Sequence, residues 1–260
     1  MNYFKKPFYI FKYSYLIWIL ALKELKLRYR GSALGFLWTL VNPLLLLSIY
    51  TFLFTVIFKS SAKAYPVYFF SGVLVFNWFS SSLNEGTISV VGAGGFITKS
   101  TLPSEIVVIV KVMSNFLNYI FSVPVLLVFV LIYRVPLGFP LFVFPFLIAI
   151  QFLISIGIAF FFATWNVFYR DTYHIVMNLL QMLFFVMPVM YFDKQLPERL
   201  RNLVYLNPIA YLIKCYQGVF YYDTFPRPGY MIFLVVIALM TYIVGFHYYH
   251  SRKDLFAECL

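Results

Sequence analysis

Residues 135–169, VPLGFPLFVFPFLIAIQFLISIGIAFFFATWNVFY, contain no Lys, Arg, Asp or Glu. A helix rises about 1.5 Å per residue, so roughly 20 apolar residues cross the ~30 Å hydrocarbon core of a bilayer. The same freedom from charge recurs at 31–58, 64–84, 112–133, 172–192 and 228–251. Lipid offers no hydrogen-bond partners, so a spanning segment must satisfy its backbone internally, as a helix. The expectation is an all-α integral membrane protein with six transmembrane helices. They are placed from Gly31 to residue 58, then at about 66–90, 106–132, 140–165, 172–192 and 229–250. The organisation divides into 1–30, a cytoplasmic N-terminus, 31–251, the membrane unit, and 252–260, a cytoplasmic tail.

Composition leaves no room for a soluble catalytic domain: the chain has 260 residues, is 63% hydrophobic and has a mean hydropathy of +0.86. Aromatics reach 22%, with 32 Phe and 22 Tyr. Lipid-facing and interfacial belts explain most of them; a stacking surface for sugar rings is the alternative. A net charge of +11 on such a chain reports topology and contact with anionic lipids, not nucleic acid. Cys215 and Cys259 give no disulfide framework or metal cluster. Tyr13–Leu22 leads into charge without a small-residue cleavage site, so no cleavable signal peptide is expected.

Seven basic residues (Lys5, Lys6, Lys12, Lys23, Lys26, Arg28 and Arg30) fall in the first 30, which puts this end in the cytoplasm. Six spans return Arg252 and Lys253 to the same side. Lys194, Arg199, Arg201, Lys214 and Arg227 depart from the rule, but in a long outer segment, where the rule is weak. Tyr15–Arg30 reads as one amphipathic interfacial helix, with Trp18, Leu22, Leu25 and Tyr29 on one side and Lys23, Lys26 and Arg30 on another. Glu24 and Arg28 form an i, i+4 pair. The helix is either a plain anchor or a docking face for a soluble partner.

Gly31 and Gly35 have the GxxxG spacing that permits close helix approach. Pro43 removes a backbone donor inside span one. Gly92–Gly95 reads as a flexible break and Thr98–Glu105 as a short polar segment. Lys111 is expected to snorkel from span three. Arg134–Phe139 is a tight outer turn, and Asn166–Asp171 an inner loop, where Asp171 favours the positive helix end or caps it. Between spans five and six, Asn207-Pro208 separates apolar runs too short to cross, which fits two short re-entrant helices.

Catalytic signatures are missing. There is no DDxxD, HExxH or GxSxG. The stretch AGGFITKS at 93–100 fails the phosphate-loop pattern because Ala93 and Thr98 stand where glycines are required. Only Glu85 and Lys111 bring charge near a span, which disfavours an ion-coupled carrier. A pore for a large neutral substrate needs no buried charge, because sugar rings stack on aromatics and hydroxyls bond amides. Span five offers Asn178, Gln181, Phe185, Pro188 and Tyr191 at near-helical steps; span one offers Trp38, Asn42 and Phe52. Helix packing is the competing explanation for each.

The run KELKLRYRGSALGFLWTLVNPLLL, Lys23–Leu46, resembles the N-terminal signature of permease subunits of ABC-type polysaccharide and polyol-phosphate exporters. Thr98–Glu105, the NVFYRD loop at Asn166–Asp171 and Asn207-Pro208 follow in the matching order. The likeness spans nearly the whole chain and is nearest to O-antigen exporters. It implies a homodimer of six-span subunits in the inner (plasma) membrane, two separate ATPase subunits that bind ATP and Mg, and a lipid-linked polysaccharide as substrate. No cofactor is expected on this chain. With that implication, Lys23, Glu24, Arg28, Arg30, Lys99, Ser100, Pro103 and Glu105 become candidates for ATPase coupling, and Arg170 and Asp171 for an inner gate touching the amphipathic helix. Competing readings are a same-fold exporter of capsule, teichoic acid, drug or lipid, and a membrane enzyme acting on lipid-linked sugars, which would need acid pairs the chain lacks.

Overall fold

The computed structural model describes residues 12–53, 56, 64–99 and 102–259. The described residues form helices joined by turns and loops, without strands: α1 Ser14–Arg28, α2 Trp38–Phe52, α3 Tyr65–Gly92, α4 Gly94–Lys99, α5 Glu105–Ile132, α6 Phe144–Phe168, α7 Thr172–Val186, α8 Glu198–Val204, α9 Pro208–Phe220, α10 Pro228–Arg252 and α11 Phe256–Cys259. Among the described residues, three segments are long and apolar enough to cross a membrane: Glu105–Ile132, Phe139–Phe168 and Pro228–Leu255. Helix α3 has 28 residues, yet Glu85 and a polar Ser and Asn face lower its hydropathy.

Two expected spans are short. Helices α2 and α7 have 15 residues each, about 22 Å at 1.5 Å per residue and less than the ~30 Å core. Helix α2 starts at Trp38 because Gly31 and Gly35 take left-handed φ values of 80° and 49°. The expected GxxxG helix face therefore does not form; both glycines belong to a turn. Helix α7 stops before Pro188, which disfavours helical backbone at the preceding residue; Met187 is extended, with ψ 147°. Pro188 and Tyr191 thus leave the helical series that the sequence suggested. Elsewhere α6 runs through Phe168, so the loop expected at Asn166–Asp171 shrinks to Tyr169–Asp171. The expected flexible break at Gly92–Gly95 is a turn at Ala93, after which α4 begins.

Helix α3 is the pillar. Every residue from Tyr65 to Phe76 is buried, and α2, α5, α6, α7 and α9 pack around it. Small residues set the spacing. A methyl built on Gly86 would stand 2.8 Å from Ala159 Cβ, and one on Gly72 would stand 2.9 Å from Gln217 Nε2. Helices α6 and α10 come closest: a methyl on Gly245 would lie 1.9 Å from the Gly157 carbonyl oxygen. Between these contacts Trp78 stacks on Tyr119 at 4.9 Å, and Gln151 Nε2 donates to the Val75 carbonyl at 2.9 Å.

Backbone groups freed by proline find partners. Pro43 leaves the Thr39 carbonyl without its helical donor, and the Ser122 hydroxyl of α5 lies 3.3 Å from it. Pro188 presents its carbonyl to Gln217 Nε2 at 2.9 Å. Asn207 caps α9, its side chain accepting from the Ile209 amide at 2.9 Å with Pro208 in the first turn. Helix α9 is buried along nearly its whole length against α3, α6 and α10. The turn before α6 is fastened by the Gly138 amide, which donates to Asp223 Oδ1 at 2.8 Å.

Helix α1 is rotated relative to the expected amphipathic arrangement. It buries Ile17, Ala21 and Leu25 against α5, whereas Trp18 is 45% exposed. Ala21 lets the backbones approach, and Leu25 meets Leu117. Lys23, Lys26 and Arg30 remain exposed, as the basic face required.

The close crossings yield a stability prediction. Gly245→Val should destabilise the protein by at least about 1–3 kcal/mol, the usual cost of overpacking, because backbone cannot move aside as a side chain can. Gly92→Ala meets no atom within 4 Å, and should be neutral or stabilising by up to ~1 kcal/mol. Thermal unfolding of the detergent-solubilised variants checks both directions.

Candidate functional site

The ionisable groups of the apolar segments converge at one end of the bundle. Arg28 at the end of α1 donates from Nη2 to both Glu85 oxygens of α3, at 2.7 and 2.8 Å. Its Nη1 donates to Asn115 Oδ1 of α5 at 3.2 Å, and Asn115 Nδ2 donates to the Lys111 carbonyl at 3.0 Å. Lys111 in turn pairs with Glu24 of α1. The expected Glu24–Arg28 pair is thus replaced by two interhelical pairs, and Lys111 reaches a carboxylate instead of snorkelling. The reason is physical: a carboxylate and an ammonium on apolar helices are costly unless paired, and α1 carries both complements one turn apart.

A second cluster lies where α5 begins. Glu105 is fully buried, accepts from Lys253 Nζ at 2.9 Å and faces His250 Nδ1 at 3.2 Å. Phe256 of α11 is buried against Phe168 and Tyr249, and α11 touches α4. Arg170 Nη2 donates to the Cys259 carbonyl at 3.3 Å. The chain's end therefore ties together the α4–α5 segment and the α6–α7 loop. Among the described residues, the hydrogen bond of Arg170 goes to the C-terminal segment, not to α1. Asp171 occupies the cap position of α7 without making a side-chain cap bond. Pro103 is half-buried, while Ser100 and the Lys99 side chain lie outside the described residues.

Helices α2 and α7 lie near each other on α3, with Tyr50 and Phe184 rings 6.1 Å apart. Asn42 and Phe52 on α2, and Asn178, Gln181 and Phe185 on α7, are exposed on the single chain. Trp38 is occupied locally, its Nε1 donating to Ser32 Oγ at 2.7 Å. Pro188 is buried, and Tyr191 donates its hydroxyl to the Val186 carbonyl. The sequence-derived path residues divide accordingly into five exposed on α2 and α7 and three engaged at the helix ends. Beside α7 runs an apolar groove of about 600 Å³, lined by Phe79, Leu83, Leu180, Met187, Val204 and Ile209.

The ABC-2 type transporter family matches residues 15–221. The chain belongs to this family. It is 33% identical over 253 residues to an O-antigen export system permease protein RfbA of Myxococcus xanthus, covering 96% of this chain and 97% of that one. A protein of the same name from Klebsiella pneumoniae is 29% identical over 252 residues, covering 94% and 95%. As an ABC-2 type transporter the protein is a membrane component of an ABC transport system. The family match includes α1, α2, α7 and the Glu24, Arg28, Glu85 and Lys111 cluster; it ends before α10 and α11.

Asn115, His250 and Lys253 were missed as site residues. A signal existed for the first: Glu85 and Lys111 are isolated charges, so a partner on a facing helix was required. The Glu105 partners lie some 145 residues away in sequence, and no local pattern reveals them.

The first cluster makes a coupled prediction. Glu24→Lys places two cations together and should lower both transport and thermal stability. Adding Lys111→Glu should restore much of each, with a coupling energy of about 0.5–3 kcal/mol. A double-mutant cycle on solubilised protein measures it; additive effects would mean the two side chains act independently.

Proposed function

We propose that this chain is the permease subunit of an ATP-driven exporter that moves a lipid-linked, O-antigen-like polysaccharide out of the cytoplasm. The observation carrying the reading is the near-full-length likeness to proteins named O-antigen export system permease. In this reading two copies and two ATPase subunits form the exporter in the inner membrane, and ATP and Mg stay on the ATPase. The basic residues of α1 favour cytoplasmic termini. Six spans are proposed, with α2 and α7 short because protein or water, not lipid, meets their ends.

The glycan path runs along α2 and α7. Its support is the set of amides left exposed on the single chain, Asn42, Asn178 and Gln181, which would be costly against hydrocarbon at roughly 4–8 kcal/mol each on an alkane scale. The ATPase docks on the exposed face of α1 (Lys23 and Arg30) and on the α4–α5 segment (Lys99, Ser100 and Pro103). Glu24, Arg28 and Glu105 act from within, fixing α1 and α5 to the bundle. Arg170 and Asp171 flank the inner end of α7 and contribute to the inner gate through the C-terminal tail.

Deletion of the chain's gene should abolish surface polysaccharide while lipid-linked glycan accumulates inside; unchanged surface glycan would reject the exporter reading. In assembled transporter, thiols introduced by Asn42→Cys and Gln181→Cys should react with a water-soluble maleimide. A thiol at Met240→Cys, on a 56% exposed apolar position of α10, should react only with a lipid-soluble one. Equal behaviour at all three positions would remove the path.

A further inference from the structure

The end of the bundle opposite the Arg28 cluster holds a second recess, of about 300 Å³. It is built from the start of α3 (Tyr68), the segment after α7 (Asp193), α9 (Lys214, Gln217) and the entry to α10 (Arg227, Tyr230). Its volume is at the low end of the roughly 300–1,000 Å³ typical of small-molecule sites, room for a single ring rather than a chain. Asp193 accepts from both Lys214 and the Tyr205 hydroxyl, and Lys214 lies 3.0 Å from that hydroxyl. Arg227 rests on the Tyr230 ring at 5.8 Å, and among the described residues no carboxylate pairs with it.

We propose that this recess is a subsite for one sugar residue of the exported glycan at the outer mouth of the transporter. The inference rests on the exporter reading and deepens it. The ligand class follows from the lining. A sugar ring needs an aromatic face for its apolar C–H edge and both donors and acceptors for its hydroxyls. Tyr222, 52% exposed, supplies the face, Arg227 and Lys214 the donors, and Asp193 the acceptor. A lipid phosphate fits less well, because the Asp193 carboxylate stands beside the cations that would receive it. The walls are fixed by other bonds: the Tyr68 hydroxyl donates to the Tyr191 carbonyl at 2.8 Å, and Gln217 Nε2 to the Pro188 carbonyl at 2.9 Å. Asp193, Pro188 and Tyr191 all follow α7, so an occupied recess braces the outer end of the proposed path.

The experiment uses the complete transporter in nanodiscs, with Cys259→Ser to remove the exposed thiol and, as reporter, Phe225→Cys, at a 62% exposed position that lines the recess without serving as donor or acceptor. Cys215 lines the recess but is buried, and burial pushes its thiol up to about 12, so it stays silent toward a water-soluble maleimide at neutral pH. The probe is lipid-free polysaccharide released from the host's own surface glycan by mild acid, titrated to its solubility limit. The expected result is that labelling of the F225C thiol slows about tenfold at ten times the dissociation constant. Constant labelling, or no labelling in any state, overturns the subsite. Protection that follows phosphatidylglycerol content instead of glycan overturns it in favour of a lipid headgroup site. Glycan export by the wild-type complex is assayed in parallel. If the wild type exports and the F225C thiol is never protected, the subsite alone falls; if the wild type exports nothing, the exporter reading falls as well.

Discussion

Apolar side chains gain nothing by exchanging lipid for protein, so helices in hydrocarbon must be held by close packing and by hydrogen bonds. That constraint organises the bundle. Gly157 and Gly245 bring α6 and α10 into backbone contact, Gly86 and Ala159 bring α3 onto α6, and Gly72 admits the Gln217 amide between α3 and α9. Each contact maximises dispersion over a length of helix. Because α3 is enclosed along its first three turns by five neighbours, the positions of α2, α7 and α9 all refer back to it.

Charge is handled by the same economy of space. Glu85, Lys111 and Glu105 would each be costly in an apolar setting, and each is matched from another element. Such pairs gain little net stability over apolar packing, but they impose geometry. Arg28 cannot keep its fork on Glu85 and its bond to Asn115 unless α1, α3 and α5 hold one register. Glu105 likewise holds the start of α5 to the end of α10. In the proposed exporter these are the connections through which a push on the basic face of α1 or on α4 moves α5 as a unit, instead of sliding one helix past another.

The sequence made the helical, membrane-spanning character legible because absence of charge over 21 or more residues is a global property that packing cannot overturn. It also exposed the break between α8 and α9 through Asn207-Pro208, whose capping chemistry is local. Errors arose where tertiary context decides. Gly31 and Gly35 match a helix-packing motif but take left-handed backbone, while the two glycines that meet each other, Gly157 and Gly245, are 88 residues apart and share no motif. The 3.6-residue pattern groups Trp18, Leu22, Leu25 and Tyr29 on one side of α1 but does not say which of them meets protein; the structure turns Ile17, Ala21 and Leu25 onto α5 and leaves Trp18 exposed, since a small residue allows closer approach than a large one. Pro188 and Tyr191 continued a helical series on paper, yet the residue before a proline resists the helical region.

The break at Pro188 also explains how polar chemistry can exist at the far end of so apolar a chain. A continuous α7 would carry hydrocarbon-facing backbone to the membrane surface. Ending the helix at Val186 frees carbonyls at Pro188 and Tyr191, and α9 and α3 satisfy them with Gln217 and Tyr68. Buried amide and phenol groups are tolerated there only because those carbonyls receive them. Once α9 has replaced lipid as the neighbour of α3, Asp193, Lys214 and Tyr205 can form a bonded triad beside it, and a recess lined by charges and tyrosines becomes affordable. A single proline thus shortens the helix proposed to line the path and creates the conditions for a hydrophilic mouth beyond its end.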